Sequence, residues 1–151
     1  MGTTRVVEAD IVWEGGMAFV ARTDSHHFLT IDASPEDGGQ NSGPRPMEMV
    51  ACALGSCTAM DVVEFLRKKR RTVEACNVHV IGRRRGEPPS VFEEISLEYR
   101  LRGPDLTEGD VQWAVELSLN KYCSVVAMLK DKARITPRWI LEPSTTSSSG
   151  S

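Results

Sequence analysis

The spacing of apolar positions changes along this chain, and each change predicts an element. Residues 6–13 place Val6, Ile11 and Trp13 among polar neighbours and read as a strand; Glu14-Gly15-Gly16 reads as a turn. Residues 17–22 and 28–31 read as two further short strands, giving an N-terminal meander. Residues 34–46 hold three Gly and three Pro among mostly polar neighbours, which predicts a loop long enough to be functional. From Met47 the pattern changes. Residues 47–65 are rich in Met, Val, Ala and Leu, with Pro46 suited to the first helical position, where a missing N–H costs nothing. Apolar residues fill nearly every position from 49 to 54, so this half is expected to be buried all round.

Residues 73–81 and 91–101 alternate cleanly and predict a hairpin, with Ile95, Leu97, Tyr99 and Leu101 sharing one face. Thr107 and Asp110 resemble a capping box at the start of a helix running to about Lys121. A short apolar helix over 124–129 and a closing strand over 133–141 complete the order βββ-α-ββ-αα-β. That order predicts an α+β fold built around a long central helix. Residues 1–143 are expected to form one domain, and 144–151, all Ser, Thr and Gly, a flexible tail.

Composition narrows the function. The net charge is −3 with both signs interspersed, so no nucleic-acid partner is expected. The cluster Arg67-Lys68-Lys69-Arg70-Arg71 falls where the helix should end, and cations complement the helix dipole there. Arg83-Arg84-Arg85 reads as charge at a hairpin tip. No run of 18 apolar residues occurs, so no membrane span is expected. The N-terminal stretch lacks the apolar segment of a secretory signal, and the chain is expected in the cytoplasm. Four cysteines in that compartment read as thiols rather than structural disulfides.

The cysteine and histidine spacings do not suit a metal, and no cofactor is expected. Cys52 and Cys57 are five residues apart, which puts them ~140° apart around a helix. His26, His27 and His79 lie on separate elements. Cys76, on a strand, and Cys52, in the apolar run, read as small buried hydrophobes. Cys57 follows Gly55-Ser56, where glycine permits close approach of a backbone or a substrate. Cys123 lies between two helices, where a helix N-terminus favours a thiolate. Locally, packing and reactivity both stay open for these two.

A resemblance bears on that choice. The segment from Asn41-Ser42-Gly43-Pro44-Arg45-Pro46 through Ala53-Leu54-Gly55-Ser56-Cys57 resembles the stretch before the first cysteine of OsmC-like proteins, the family of the organic hydroperoxide resistance proteins. Lys121-Tyr122-Cys123-Ser124-Val125 resembles that family's second cysteine segment, and the element order agrees. The resemblance implies an intertwined homodimer with two shared active sites. It also implies a peroxidase cycle belonging to an oxidative stress response. Cys57 would attack a hydroperoxide to give a sulfenic acid, Cys123 would condense with it to a disulfide, and a small dithiol or lipoyl-type reductant would reopen it.

The sequence departs from the family at two places. Its hydroperoxide reductases pair an arginine after the glycine pair with a glutamate after the loop proline; here Met17 and Met47 occupy those positions. Glu48 comes one place late and, on a regular helix, about two and a half turns before Cys57, on the opposite face. It reads as a first-turn carboxylate favoured by the dipole. Arg45 is the nearest replacement cation, and His26 and His27 fit a solvated turn. Two functions follow: a thiol-dependent hydroperoxide reductase, or a non-catalytic or sensory protein of this fold. The latter would bind a small apolar or thiol ligand and use its cysteines as redox-sensitive side chains.

Overall fold

Strand β1 (Ala9–Gly15) pairs antiparallel with β2 (Ala18–Thr23), and β2 with β3 (Phe28–Ile31), forming a three-stranded meander. Gly15 and Gly16 turn the first hairpin with φ of 102° and 57°, a region other residues rarely adopt. The chain is described as a computed structural model covering residues 2–144. The expectation of a flexible tail therefore lies outside the described residues, except at Ser144. Val6 and Val7 precede the first strand, which begins later than the pattern suggested.

The loop after β3 is ordered by Asp32. Its carboxylate accepts from the N–H of Ala33 (2.8 Å), Gln40 (3.0 Å) and Ser42 (3.1 Å) and from the Ser42 hydroxyl (2.7 Å). The Ser42 hydroxyl, followed by these N–H groups, holds the Asp32 carboxyl well below the ordinary carboxylate range. Nothing in the alternation of apolar residues pointed to Asp32.

Helix α1 (Pro46–Lys68) is unbroken through Gly55, starts at Pro46 as expected and ends among basic residues. Strands β4 (Ala75–Arg84) and β5 (Phe92–Arg102) form the expected antiparallel hairpin, and β6 (Arg134–Glu142) adds parallel to β5. Between β5 and β6 lie α2 (Glu108–Leu117), a wide π-helical turn over Ser118–Tyr122, and α3 (Ser124–Leu129). The order βββ-α-ββ-αα-β and the α+β class are those expected.

The fold divides into two units, one ending at Val50 and the other beginning at Ala51. The core of the second unit is the alternating face of β5 (Ile95, Leu97, Tyr99, Leu101) packed with Leu54, Val62 and Leu66 of α1 and Val111, Ala114 and Val115 of α2. Every one of these side chains is almost completely removed from water, and such burial is the main force holding a domain together. The Thr107–Asp110 capping box is present as expected. Asp110 also pairs with Lys69 (2.9 Å) and Arg71 (2.8 Å), so the basic end of α1 is tied to the start of α2.

By length and composition α1 is apolar enough to cross a membrane, a test that the core helix of a folded domain also meets. One expectation about it fails: its first half is not buried all round. Cys52 and Ala53 are exposed, and only a third of its most apolar stretch is covered.

Candidate functional site

Cys57 lies midway along α1, one residue before the buried Thr58 and two after Gly55. Gly55 has a packing reason. A Cβ there would come within 2.8 Å of Val80 Cγ2, so glycine lets α1 settle onto β4. The close approach is therefore to a strand side chain of the same unit.

Cys123 ends the wide turn and begins α3. The turn closes through the Cys123 N–H, which donates to the Ser118 carbonyl at 2.8 Å. The Cys123 sulfur then accepts the Val126 N–H at 3.4 Å and so serves as the cap of α3. Wide turns of this kind interrupt regular helices and recur at functional sites. Sequence alone ran the preceding helix through to Lys121, because the apolar spacing barely changes at Ser118.

These two elements bring the thiols of Cys57 and Cys123 close enough for one to shift the other's titration. Cys57 is half-buried, whereas Cys123 is 4% exposed. Burial pushes the Cys123 thiol up to about 11, and the neighbouring Cys57 adds to the rise by hydrogen bonding and by charge. The Val126 N–H acts the other way and does not prevail. The expectation that a helix N-terminus would favour a thiolate at Cys123 is thus corrected. Desolvation outweighs the end of a six-residue helix.

A run of polar side chains lies behind the pair. Thr58 Oγ1 is 2.8 Å from the Tyr99 hydroxyl and 2.9 Å from Ser118 Oγ, and Ser118 Oγ donates to Asp61 Oδ2 at 2.8 Å. Sequence reasoning missed all four residues. The one available signal was Tyr99 on the buried face of β5, since a buried tyrosine hydroxyl requires a partner. Asp61, one turn beyond Cys57, also lines a groove of about 690 Å3 walled by Phe65, Trp113, Leu117 and Tyr122.

The other candidates have structural positions. Glu48 accepts the Arg45 N–H at 2.8 Å and caps the start of α1, as a first-turn carboxylate should. Arg45 reaches Asn41 Oδ1 (2.8 Å) and the Gly43 carbonyl (2.9 Å), bracing its own loop. His26 has a φ of 64° in the β2–β3 turn, and His27 hydrogen-bonds Ser25 there. Cys76 is partly buried against the core, where desolvation raises its pKa, in keeping with a packing role. Cys52 is exposed and so is not the buried hydrophobe expected. Among the described residues no cluster of His, Cys, Asp or Glu could hold a metal ion.

The chain is similar to known proteins over most of its length. It is 39% identical over 130 residues to protein YhfA of Escherichia coli K12, covering 86% of this chain and 94% of the relative. It is 31% identical to a hypothetical protein of Aquifex aeolicus of known structure, with a TM-score of 0.82, covering 93% and 98% of the two chains. An organic hydroperoxide resistance protein of Elizabethkingia anophelis shares the fold at 14% identity, with a TM-score of 0.66 and coverage of 95% and 99%. The family model for OsmC-like proteins matches residues 39–138, a span that takes in both Cys57 and Cys123. On that match and the relationship to YhfA, the chain belongs to the OsmC-like protein family.

Proposed function

We propose that this chain is a thiol redox protein that reduces organic hydroperoxides, with Cys57 as the attacking thiol and Cys123 as its resolving partner. The observation that carries the reading is the meeting of two thiols of unequal exposure. Cys57 can meet a substrate, while Cys123 stays protonated and faces Cys57. The Cys57 thiolate attacks one peroxide oxygen and the O–O bond breaks. Cys57 becomes a sulfenic acid, and the released alkoxide takes a proton to leave as an alcohol. The Cys123 sulfur then attacks the sulfenic sulfur; the S–S bond forms, and hydroxide leaves with the Cys123 proton as water. An external small or lipoyl-type dithiol reopens the disulfide by exchange and is itself oxidised to a disulfide. The cycle suits the reducing cytoplasm and a response to oxidative stress.

The working unit in this reading is a homodimer, intertwined as in the family. An apolar groove of about 670 Å3 runs along the exposed face of α1, lined by Ala59, Met60, Val63 and Cys76. Met60 is 70% exposed there. The meander likewise leaves Ile11, Val12, Trp13 and Phe28 exposed. A second copy is the occupant that would remove such surfaces from water in every molecule.

One observation favours a sensory role instead. Met17 and Met47 stand where the family's reductases carry an arginine and a glutamate, and Glu48 is engaged in capping α1. A coupled assay with tert-butyl hydroperoxide and either dithiothreitol or a dihydrolipoyl reductant separates the two. The enzyme reading expects many turnovers and none in Cys57→Ser. Consumption that stops at one equivalent despite excess dithiol would establish the sensory reading.

A further inference from the structure

The polar run behind the thiols has a fixed direction. Asp61, as a carboxylate, only accepts, so the Ser118 proton goes to it. With that proton committed, Thr58 must donate to Ser118, and Tyr99 must donate to Thr58. Each hydroxyl therefore donates once, and the chain runs from Tyr99 through Thr58 and Ser118 to Asp61. Tyr99, Thr58 and Ser118 are fully buried. A buried chain with every member satisfied specifies one arrangement of its elements.

Both thiols are attached to this chain through the backbone. Thr58 follows Cys57 directly on α1. Ser118 opens the wide turn, and its carbonyl holds the Cys123 N–H. The link from Thr58 to Ser118 thus joins the helix turn carrying one sulfur to the turn carrying the other.

We propose that Thr58 and Ser118 are positioning residues, clamping the Cys123 turn against the Cys57 turn and so raising the effective concentration of one sulfur at the other. The inference rests on the reading of Cys57 and Cys123 as a redox pair. Groups held in reach react as if at high concentration, and the advantage falls once either can wander. The hydroxyls touch no reacting atom, so their effect belongs to closing the disulfide and not to the attack on peroxide.

The test uses the full chain in its native assembly. Wild type, Ser118→Ala, Thr58→Val and Thr58→Ser are equilibrated with oxidised and reduced dithiothreitol, alkylated, and their thiols counted by mass. The equilibrium constant for the protein disulfide should fall tenfold or more in Ser118→Ala and Thr58→Val, equivalent to about 30 mV for a two-electron couple. Thr58→Ser, which keeps the hydroxyl, should stay within about threefold of wild type. In a Cys123→Ser background, Ser118→Ala should leave the rate of sulfenate trapping at Cys57 within about twofold. A folded Ser118→Ala protein with a lowered melting temperature but an unchanged constant would make the hydroxyls mere packing and overturn the proposal. Ser118→Ala adds no bulk and decides the matter if Thr58→Val fails to fold. A wild type that forms no Cys57–Cys123 disulfide would defeat the underlying redox reading instead.

Discussion

Cys123 caps the helix that follows it with its own sulfur, accepting the Val126 N–H at 3.4 Å. Serine is a better cap than cysteine and nearly the same size, so Cys123→Ser should hold α3 in place. Its unfolding free energy is expected within about 1 kcal/mol of wild type, whereas Cys123→Ala should lose a further 1 kcal/mol or so. Urea denaturation of the two variants checks this. A Cys123→Ser protein as unstable as Cys123→Ala would show that the sulfur is not acting as a cap.

The raised pKa of Cys123 predicts how stability varies on the alkaline side. Burial pushes the folded thiol up to about 11, above the roughly 8.5 of an unfolded thiol. Between those values the native state holds a proton that the unfolded chain has lost, so stability must fall as pH rises through this window. Burial shifts Cys76 and Tyr99 in the same direction, and they add to the fall at high pH. Urea midpoints between pH 8 and 11 should decline, less steeply in Cys123→Ser. A flat profile would contradict the burial assigned to this thiol.

Asp110 shares the acid side with Asp32, whose carboxyl is also held low. Hydrogen bonding from Lys69, supported by Thr107 and Arg71, lowers the Asp110 carboxyl to about 2. Its folded value lies below its unfolded value, so the stability it contributes is present above about pH 4 and lost as pH falls toward 2. Asp110→Asn can still accept from Thr107 but loses both ion pairs, and should cost about 1 kcal/mol at pH 7. Acid titration of the variant by circular dichroism should show a shallower loss than wild type. An equally steep loss would remove Asp110 from the account.

Gly55→Ala tests the contact that seats α1. Alanine in a helix interior ordinarily gains up to ~1 kcal/mol over glycine. Here the added carbon meets Val80 Cγ2 at 2.8 Å, and valine is stiff, so the substitution should destabilise by about 1–2 kcal/mol. In a Val80→Ala background the same change should become neutral or stabilising. A double-mutant cycle from thermal melts reads the sign reversal directly. Additive effects would place the origin of Gly55 elsewhere.

The elements were legible wherever one local rule dominates. Alternation over 95–101 identified the buried face of β5, Pro46 marked the start of α1, and Thr107 with Asp110 marked that of α2. What stayed hidden depends on contacts between distant residues. The parallel pairing of β6 with β5, the grip of Asp32 on Ser42 and the hydroxyl chain from Tyr99 to Asp61 leave no periodic trace. Cys57 and Cys123 stood out through family resemblance, since local sequence gave each an equally good packing role. The thiolate expected at Cys123 failed because a helix terminus is visible in sequence and desolvation is not. Cys52 failed for the complementary reason. Apolar neighbours along a helix do not tell which face its own chain leaves uncovered.

The central claim is that Cys57 and Cys123 close on one another when a hydroperoxide arrives. The most direct measurement treats the reduced protein with one equivalent of tert-butyl hydroperoxide per chain, alkylates the remaining thiols, and maps the peptides by mass. The account predicts loss of two thiols per chain, a peptide linking Cys57 to Cys123 within one chain, and Cys52 and Cys76 still alkylated. In Cys57→Ser no thiol should be lost, and in Cys123→Ser a dimedone-type probe should label Cys57 as the sulfenic acid. Recovery of Cys57 and Cys123 as free thiols after the peroxide has been consumed, or normal consumption by Cys57→Ser, would contradict it.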